Sequence, residues 1–181
     1  MRRLIFVLLL GSSLSMFSQD ENPEINNGPF YKLSMAGTIT TNEDIELADE
    51  YNDNLFELNA LFLNATVGYQ FDPRASIGVN FGYDRHSELN LYFFPMYLSF
   101  RYNIIKDDDN VFLRGGYGKL LNVGKSFEVG NMYKAGLGYQ IFDGDYRNSF
   151  LIGVDFTRKR FGFRRLDKLS SISIFLEFQF F

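Results

Sequence analysis

LSSISIFLEFQFF, residues 169–181, closes the chain. Ile172, Ile174, Leu176, Phe178 and Phe180 fall on one parity, and Ser171, Ser173, Glu177 and Gln179 on the other. Successive side chains of a strand point to opposite faces, so this stretch is a strand with one apolar and one mostly polar face. A soluble domain has little reason to finish on a strand this apolar. A strand whose outer face meets hydrocarbon and whose inner face meets a polar lumen does.

Seven further segments upstream alternate with the same period of two. The first, about 30–40, sets Tyr31, Leu33, Met35 and Ile39 against Lys32, Ser34, Ala36 and Thr38. The second, about 56–71, sets Leu61, Leu63, Ala65, Val67, Tyr69 and Phe71 against Asn64, Thr66, Gly68 and Gln70. Its opening residues Phe56, Leu58 and Ala60 lie on the other parity, which predicts a bulge near Ala60. The third, about 75–84, follows a tight turn at Asp72-Pro73-Arg74. The fourth carries the longest in-phase series, from Tyr92 through Phe94, Met96, Leu98, Phe100 and Tyr102 to Ile104. Segments at about 111–120, 131–142 and 149–157 follow, and the terminal strand is the eighth. The connections at 72–74, 106–110 and 143–148 are on the whole shorter than those at about 41–55, 85–91, 121–130 and 158–168. The expectation is an all-β chain: an eight-stranded antiparallel transmembrane β-barrel, an up-and-down meander with short periplasmic turns and longer extracellular loops.

The polar face separates this barrel from a soluble one with its apolar face inward. It holds Gly, Ser, Asn, Gln, Lys, Arg and Glu, many of them small, which suits a narrow lumen better than a water-facing coat. The composition agrees, with 21 Phe, 11 Tyr, 16 Gly, four Pro and no Trp. Any interfacial girdle must therefore be built from Tyr and Phe. At the other end, MRRLIFVLLLGSSLSMFSQ has two arginines, an apolar run from Leu4 to Leu10, and then small and polar residues. That run is too short to span a bilayer and reads as a signal peptide, residues 1–18, for Sec export. A periplasmic leader at 19–28 and a barrel at 29–181 complete the expected organisation. No cysteine is present for a lipid anchor or a disulfide. The net charge of −4 argues against nucleic acid as a partner.

Few residues suggest chemistry. The single histidine, His86, stands in Arg85-His86-Ser87-Glu88 and invites a hydrolase reading. Neighbours on an extended segment point opposite ways, however, so a polar loop is the expectation here. Asp107-Asp108-Asp109 lacks the remaining positions of a calcium loop. No cofactor, metal or catalytic residue is expected. Two loops carry opposite charge. Thr41 to Asn54 holds six acids (Glu43, Asp44, Glu46, Asp49, Glu50 and Asp53), and Arg158 to Lys168 holds six bases (Arg158, Lys159, Arg160, Arg164, Arg165 and Lys168). The basic loop is a candidate contact for lipopolysaccharide phosphates, or a partner for the acidic loop across the barrel seam. On the inward parity, Lys32, Arg101, Arg114 and Glu177 fall at similar heights, which predicts a charge plug near the periplasmic end.

The terminal strand resembles that of bacterial outer-membrane β-barrels, which ends in alternating apolar residues and an aromatic. The resemblance implies that Phe178, Phe180 and Phe181 are the assembly signal for the barrel assembly machinery. Phe180, not Phe181, is in phase with the apolar face, so the signal carries one extra residue. The whole pattern resembles the small OmpX/OmpW/OmpA-type barrels and the generic outer membrane protein β-barrel domain group. It implies a monomeric bacterial outer-membrane protein in contact with membrane lipid and lipopolysaccharide. The expected role is non-enzymatic, acting through extracellular loops in envelope integrity, adhesion or ligand contact. A narrow, porin-like channel for small or hydrophobic solutes and a lipid A-modifying barrel enzyme are the alternatives.

Overall fold

A computed structural model of the protein describes residues 27–41, 60–87, 90–106, 109–144, 147–163 and 166–181. The expected signal peptide at 1–18, the six acids of the 41–54 stretch, and Arg164 and Arg165 lie outside the described residues. The described elements are all strands: β1 (Gly28–Thr41), β2 (Ala60–Gln70), β3 (Ala75–His86), β4 (Leu91–Phe93), β5 (Pro95–Lys106), β6 (Asn110–Leu120), β7 (Gly130–Phe142), β8 (Asn148–Phe163) and β9 (Leu166–Phe180). β4 and β5 are one stave interrupted at Phe94, because both pair with β3 in a single register, Asp84 opposite Phe93 and Phe81 opposite Met96. All pairings between strands are antiparallel and join consecutive staves, and β9 returns to β1, with Phe178 opposite Leu33. The sheet is therefore a closed eight-stranded meander with no free edge, the form in which strands can satisfy their backbone groups in lipid.

Closure is staggered. Following paired residues from Gly28 leads through Gln70, Ser76, Arg101, Arg114, Gly136, Asp155 and Ser173 to Thr38. The circuit returns to β1 about ten residues beyond its start, the shear that tilts the strands and sets the barrel's width.

Outside, the wall is apolar. Leu33, Leu137 and Ile174 are 61%, 58% and 63% exposed. A continuous apolar surface on this scale marks a membrane or a partner. Tyrosines border it at both ends. Tyr31, Tyr69, Tyr102 and Tyr139 lie toward the end that holds both termini of the barrel, and Tyr83, Tyr92, Tyr117 and Tyr133 toward the other. On the β4–β5 stave, Tyr92 and Tyr102 are separated by about ten residues. At ~3.3 Å per residue and a tilt of ~40°, that gives a band about 25 Å tall. The girdle that composition required is present without Trp.

The pattern inverts beyond the upper tyrosines. There Arg85, Lys119, Asn131 and Arg160 point outward and are exposed. Leu91, Phe93, Leu120, Met132, Phe161 and Leu169 point inward as an apolar cluster with Tyr97. The strands have left hydrocarbon and behave like those of a soluble barrel, apolar face in. The 121–129 loop lies against this rim: Glu128 N–H donates to Tyr92 O (3.1 Å), and Phe127 stands edge-on to Tyr83 (centroids 6.2 Å).

The β2–β3 register is unbroken from Ala60 opposite His86 onward, with Ala60 and Phe62 facing the lumen, while Phe56 and Leu58, on which the expected bulge near Ala60 rests, lie outside the described residues. Among the described pairings the register shifts between Asn103 and Ile105 on β5 and between Arg160 and Phe163 on β8. Two sequence expectations are corrected. His86 is not in a loop but ends β3, and Arg158 to Lys168 is mostly strand, β8 running to Phe163 and β9 starting at Leu166. At the opposite end the turns are tight for local reasons. Asp72 Oδ1 accepts from the N–H groups of Arg74 (2.5 Å) and Ala75 (2.9 Å), an Asx turn. Asp143 does the same for Arg147 and Asn148.

Candidate functional site

The site is the lumen, which is filled in three layers. Nearest the chain termini, Arg101 donates to Gln179 Oε1 (3.1 Å) and Gln70 Oε1 (2.9 Å). Gln140 donates to Ser149 (2.7 Å) beside them. These groups lie on inward positions of β5, β9, β2, β7 and β8.

The middle layer is ionic. Glu177 accepts from Lys32 (3.3 Å) and from Arg114 Nη1. Arg114 also meets Asp155 in a two-pronged contact, Nε to Oδ1 at 2.7 Å and Nη2 to Oδ2 at 2.5 Å. Asp155 is shared with Lys134 at 3.1 Å. Planar fork-to-carboxylate geometry of this kind is the strongest form of ion pair. Space for it comes from glycine. A Cβ on Gly136, which stands between Arg114 and Asp155 in the barrel circuit, would press into the Asp155 carboxylate and lie 2.7 Å from the Val154 carbonyl oxygen. The Arg114 guanidinium rests on the Phe175 ring at 3.5 Å from its centroid. Phe175 in turn occupies the room left by Gly138 and Gly153, where added Cβ atoms would fall 2.9 and 2.6 Å from its Cζ.

The upper layer mixes charge and aromatics. Lys159 reaches Asp84 (2.8 Å) and His86 Nε2 (3.0 Å), and sits 4.0 and 4.7 Å from the ring centroids of Phe62 and Phe93. An ammonium only donates, so Nε2 of His86 accepts. Phe93 closes against Phe161, centroids 4.9 Å apart. Ser87, next to His86, is exposed, so this histidine and serine do not share a site.

The four charges that the sequence places together are divided by the structure. Lys32, Arg114 and Glu177 are in contact, whereas Arg101 bonds glutamines. Asp155 and Lys134 complete the middle layer; both lay on the inward parity, but the expected cluster omitted them. Of the basic stretch, Lys159 is fully buried in the lumen and faces no lipid. Arg158, Arg160 and Lys168 point outward, with Arg160 over the Tyr133 ring at 5.8 Å. Phe178 and Phe180 face outward, and Phe181 meets Phe30 edge-on with centroids 6.0 Å apart.

The sequence matches no protein-family model and none of the curated proteins. Solved structures do resemble it. Neisserial surface protein A superposes with a TM-score of 0.59 at 8% identity, covering 84% of this chain and 96% of that one. The N-terminal β-barrel domain of Pseudomonas aeruginosa OprF superposes at 0.52 with 10% identity, covering 86% of this chain and 100% of the domain. With the closed meander, this likeness gives the protein the fold of the small eight-stranded outer-membrane β-barrels.

Proposed function

We propose that the protein is a sealed, non-enzymatic outer-membrane barrel that works through its extracellular end, in envelope integrity, adhesion or ligand contact. The observation that carries this reading is the lumen. Its ion pairs and aromatics meet across the barrel, and two cavities among the described residues of the lumen are each only about 10 Å³, space for one water-sized group and not for an organic solute. The chain would be exported by its N-terminal signal, and the assembly machinery would read Phe178, Phe180 and Phe181.

The outward cations above the upper tyrosines support lipopolysaccharide as the lipid partner. Arg85 lies 6.0 Å from the Tyr92 ring centroid, and Arg160 stands similarly over Tyr133. Cations just outside an aromatic girdle sit at phosphate level, where each is worth about 1 kcal/mol near an anionic surface. Arg158, Arg160 and Lys168 are the described residues of the basic stretch that keep this role, Arg164 and Arg165 of the same stretch lie outside the described residues, and Arg85 and Lys119 join the set. Lys159 does not.

Orientation is the test. Single cysteines replacing Ser87 and Lys125 are expected to react on intact cells with an impermeant thiol reagent. Cysteines replacing Asp72 and Gly144 are expected to react only after the outer membrane is opened. Labelling of the Asp72 and Gly144 positions alone on intact cells would reverse the topology and remove the case for a surface role.

A further inference from the structure

The lumen holds more positive than negative charge. Among the described residues, Lys32, Arg101, Arg114, Lys134 and Lys159 face inward against Asp84, Asp155 and Glu177. The three carboxylates are already engaged: Glu177 by Lys32 and Arg114, Asp155 by Arg114 and Lys134, and Asp84 by Lys159. Arg101, 4% exposed, hydrogen-bonds the neutral amide oxygens of Gln70 and Gln179. A buried charge without a counter-charge is costly.

The surplus converges on one place. A cavity of about 10 Å³ is lined by Lys32, Arg101, Arg114 and Lys134, with Asn80 and Ser99 on its wall. Four of the five inward cations border it, and no carboxylate is among its lining residues. Its size is that of about one water-sized sphere, so a tetrahedral oxyanion or an organic acid does not fit.

We propose that this cavity is a binding site for one small inorganic anion of halide size. The anion supplies the counter-charge that the carboxylates leave short. It is held by the Lys32, Arg101, Arg114 and Lys134 side chains, as a structural ion within the plug. The inference rests on the sealed-lumen reading, because an open, hydrated lumen would neutralise Arg101 with mobile ions.

The test compares the folded full-length protein in detergent in chloride, bromide and gluconate salts at equal ionic strength. Gluconate is too large for the cavity. The unfolding midpoint is expected to rise with halide by about 3 °C per tenfold increase above the dissociation constant, and to stay flat in gluconate. Bromide is expected to give one anomalous-scattering peak between Lys32, Arg101, Arg114 and Lys134. Arg101→Gln keeps an amide facing Gln70 and Gln179 and is expected to flatten the halide dependence. Equal midpoints in halide and gluconate for the wild type, with no bromide peak, would mean the cavity holds water and would overturn the proposal. A halide dependence that Arg101→Gln leaves intact would also overturn it, by placing the ion elsewhere. A planar-bilayer recording keeps the two readings apart. Steady anion current would remove the sealed lumen and, with it, the structural ion, whereas silence without halide dependence would remove the site alone.

Discussion

Glu177→Ala is expected to destabilise the barrel by about 3–5 kcal/mol, the usual cost of breaking a buried ion pair from one side. Glu177 is 3% exposed and is the carboxylate that both Lys32 and Arg114 contact. Its loss leaves Lys32 with no carboxylate among its ion pairs, while Arg114 retains Asp155. The measurement is urea unfolding of the protein in lipid vesicles, followed by the mobility difference between folded and unfolded forms. Adding Lys32→Met to the variant is expected to recover part of the loss, because it removes the stranded charge and leaves an apolar stem of similar length. A cavity effect would show no such recovery. A Glu177→Ala midpoint equal to that of wild type would mean that the middle layer is not an ionic plug.

Leu98→Arg is expected to cost about 2–4 kcal/mol, the penalty for arginine on the lipid face of a barrel near the bilayer midplane. Leu98 is 53% exposed and stands between Tyr92 and Tyr102 on the β4–β5 stave. In a water-facing wall the same change would be close to neutral. Folding yield into vesicles and the unfolding midpoint both report on it. An unchanged midpoint for Leu98→Arg would mean that the apolar wall does not face hydrocarbon.

The sequence was most legible where the strands cross the apolar band. Hydrocarbon outside and polar contacts inside enforce alternation there, and every in-phase apolar residue of the terminal strand from Ile172 to Phe180 faces outward. Legibility failed where the strands rise above the band. On β8 the outward residues become Arg158, Arg160 and Gly162, and the inward ones become Lys159 and Phe161. A reader following apolar alternation ends the strand at Thr157 and reads the remainder as a basic loop. The same reversal hid the end of β3 beyond Asp84, where Arg85 turns outward and His86 inward. The signal that could have found them is the inverted parity itself, with apolar Phe93, Leu120 and Phe161 on the lumen side.

Lateral neighbours within the lumen were legible only in part. Parity placed Arg101, Arg114 and Glu177 inside, but which charges meet depends on the stagger around the barrel and on the gaps left by Gly136, Gly138 and Gly153. Arg101 and Arg114 are directly paired across β5 and β6, yet their guanidiniums diverge, one to glutamines and the other to carboxylates. That choice is made by the opposite wall, which local pattern does not encode.

A membrane-spanning barrel whose lumen is closed by its own side chains is electrically silent, and single-channel recording of the purified protein in planar bilayers reads out that closure. No steady conductance is expected from the wild type, and discrete openings are expected once Glu177→Ala loosens the middle layer. A steadily conducting wild type, with the same conductance in Glu177→Ala, would contradict that closure.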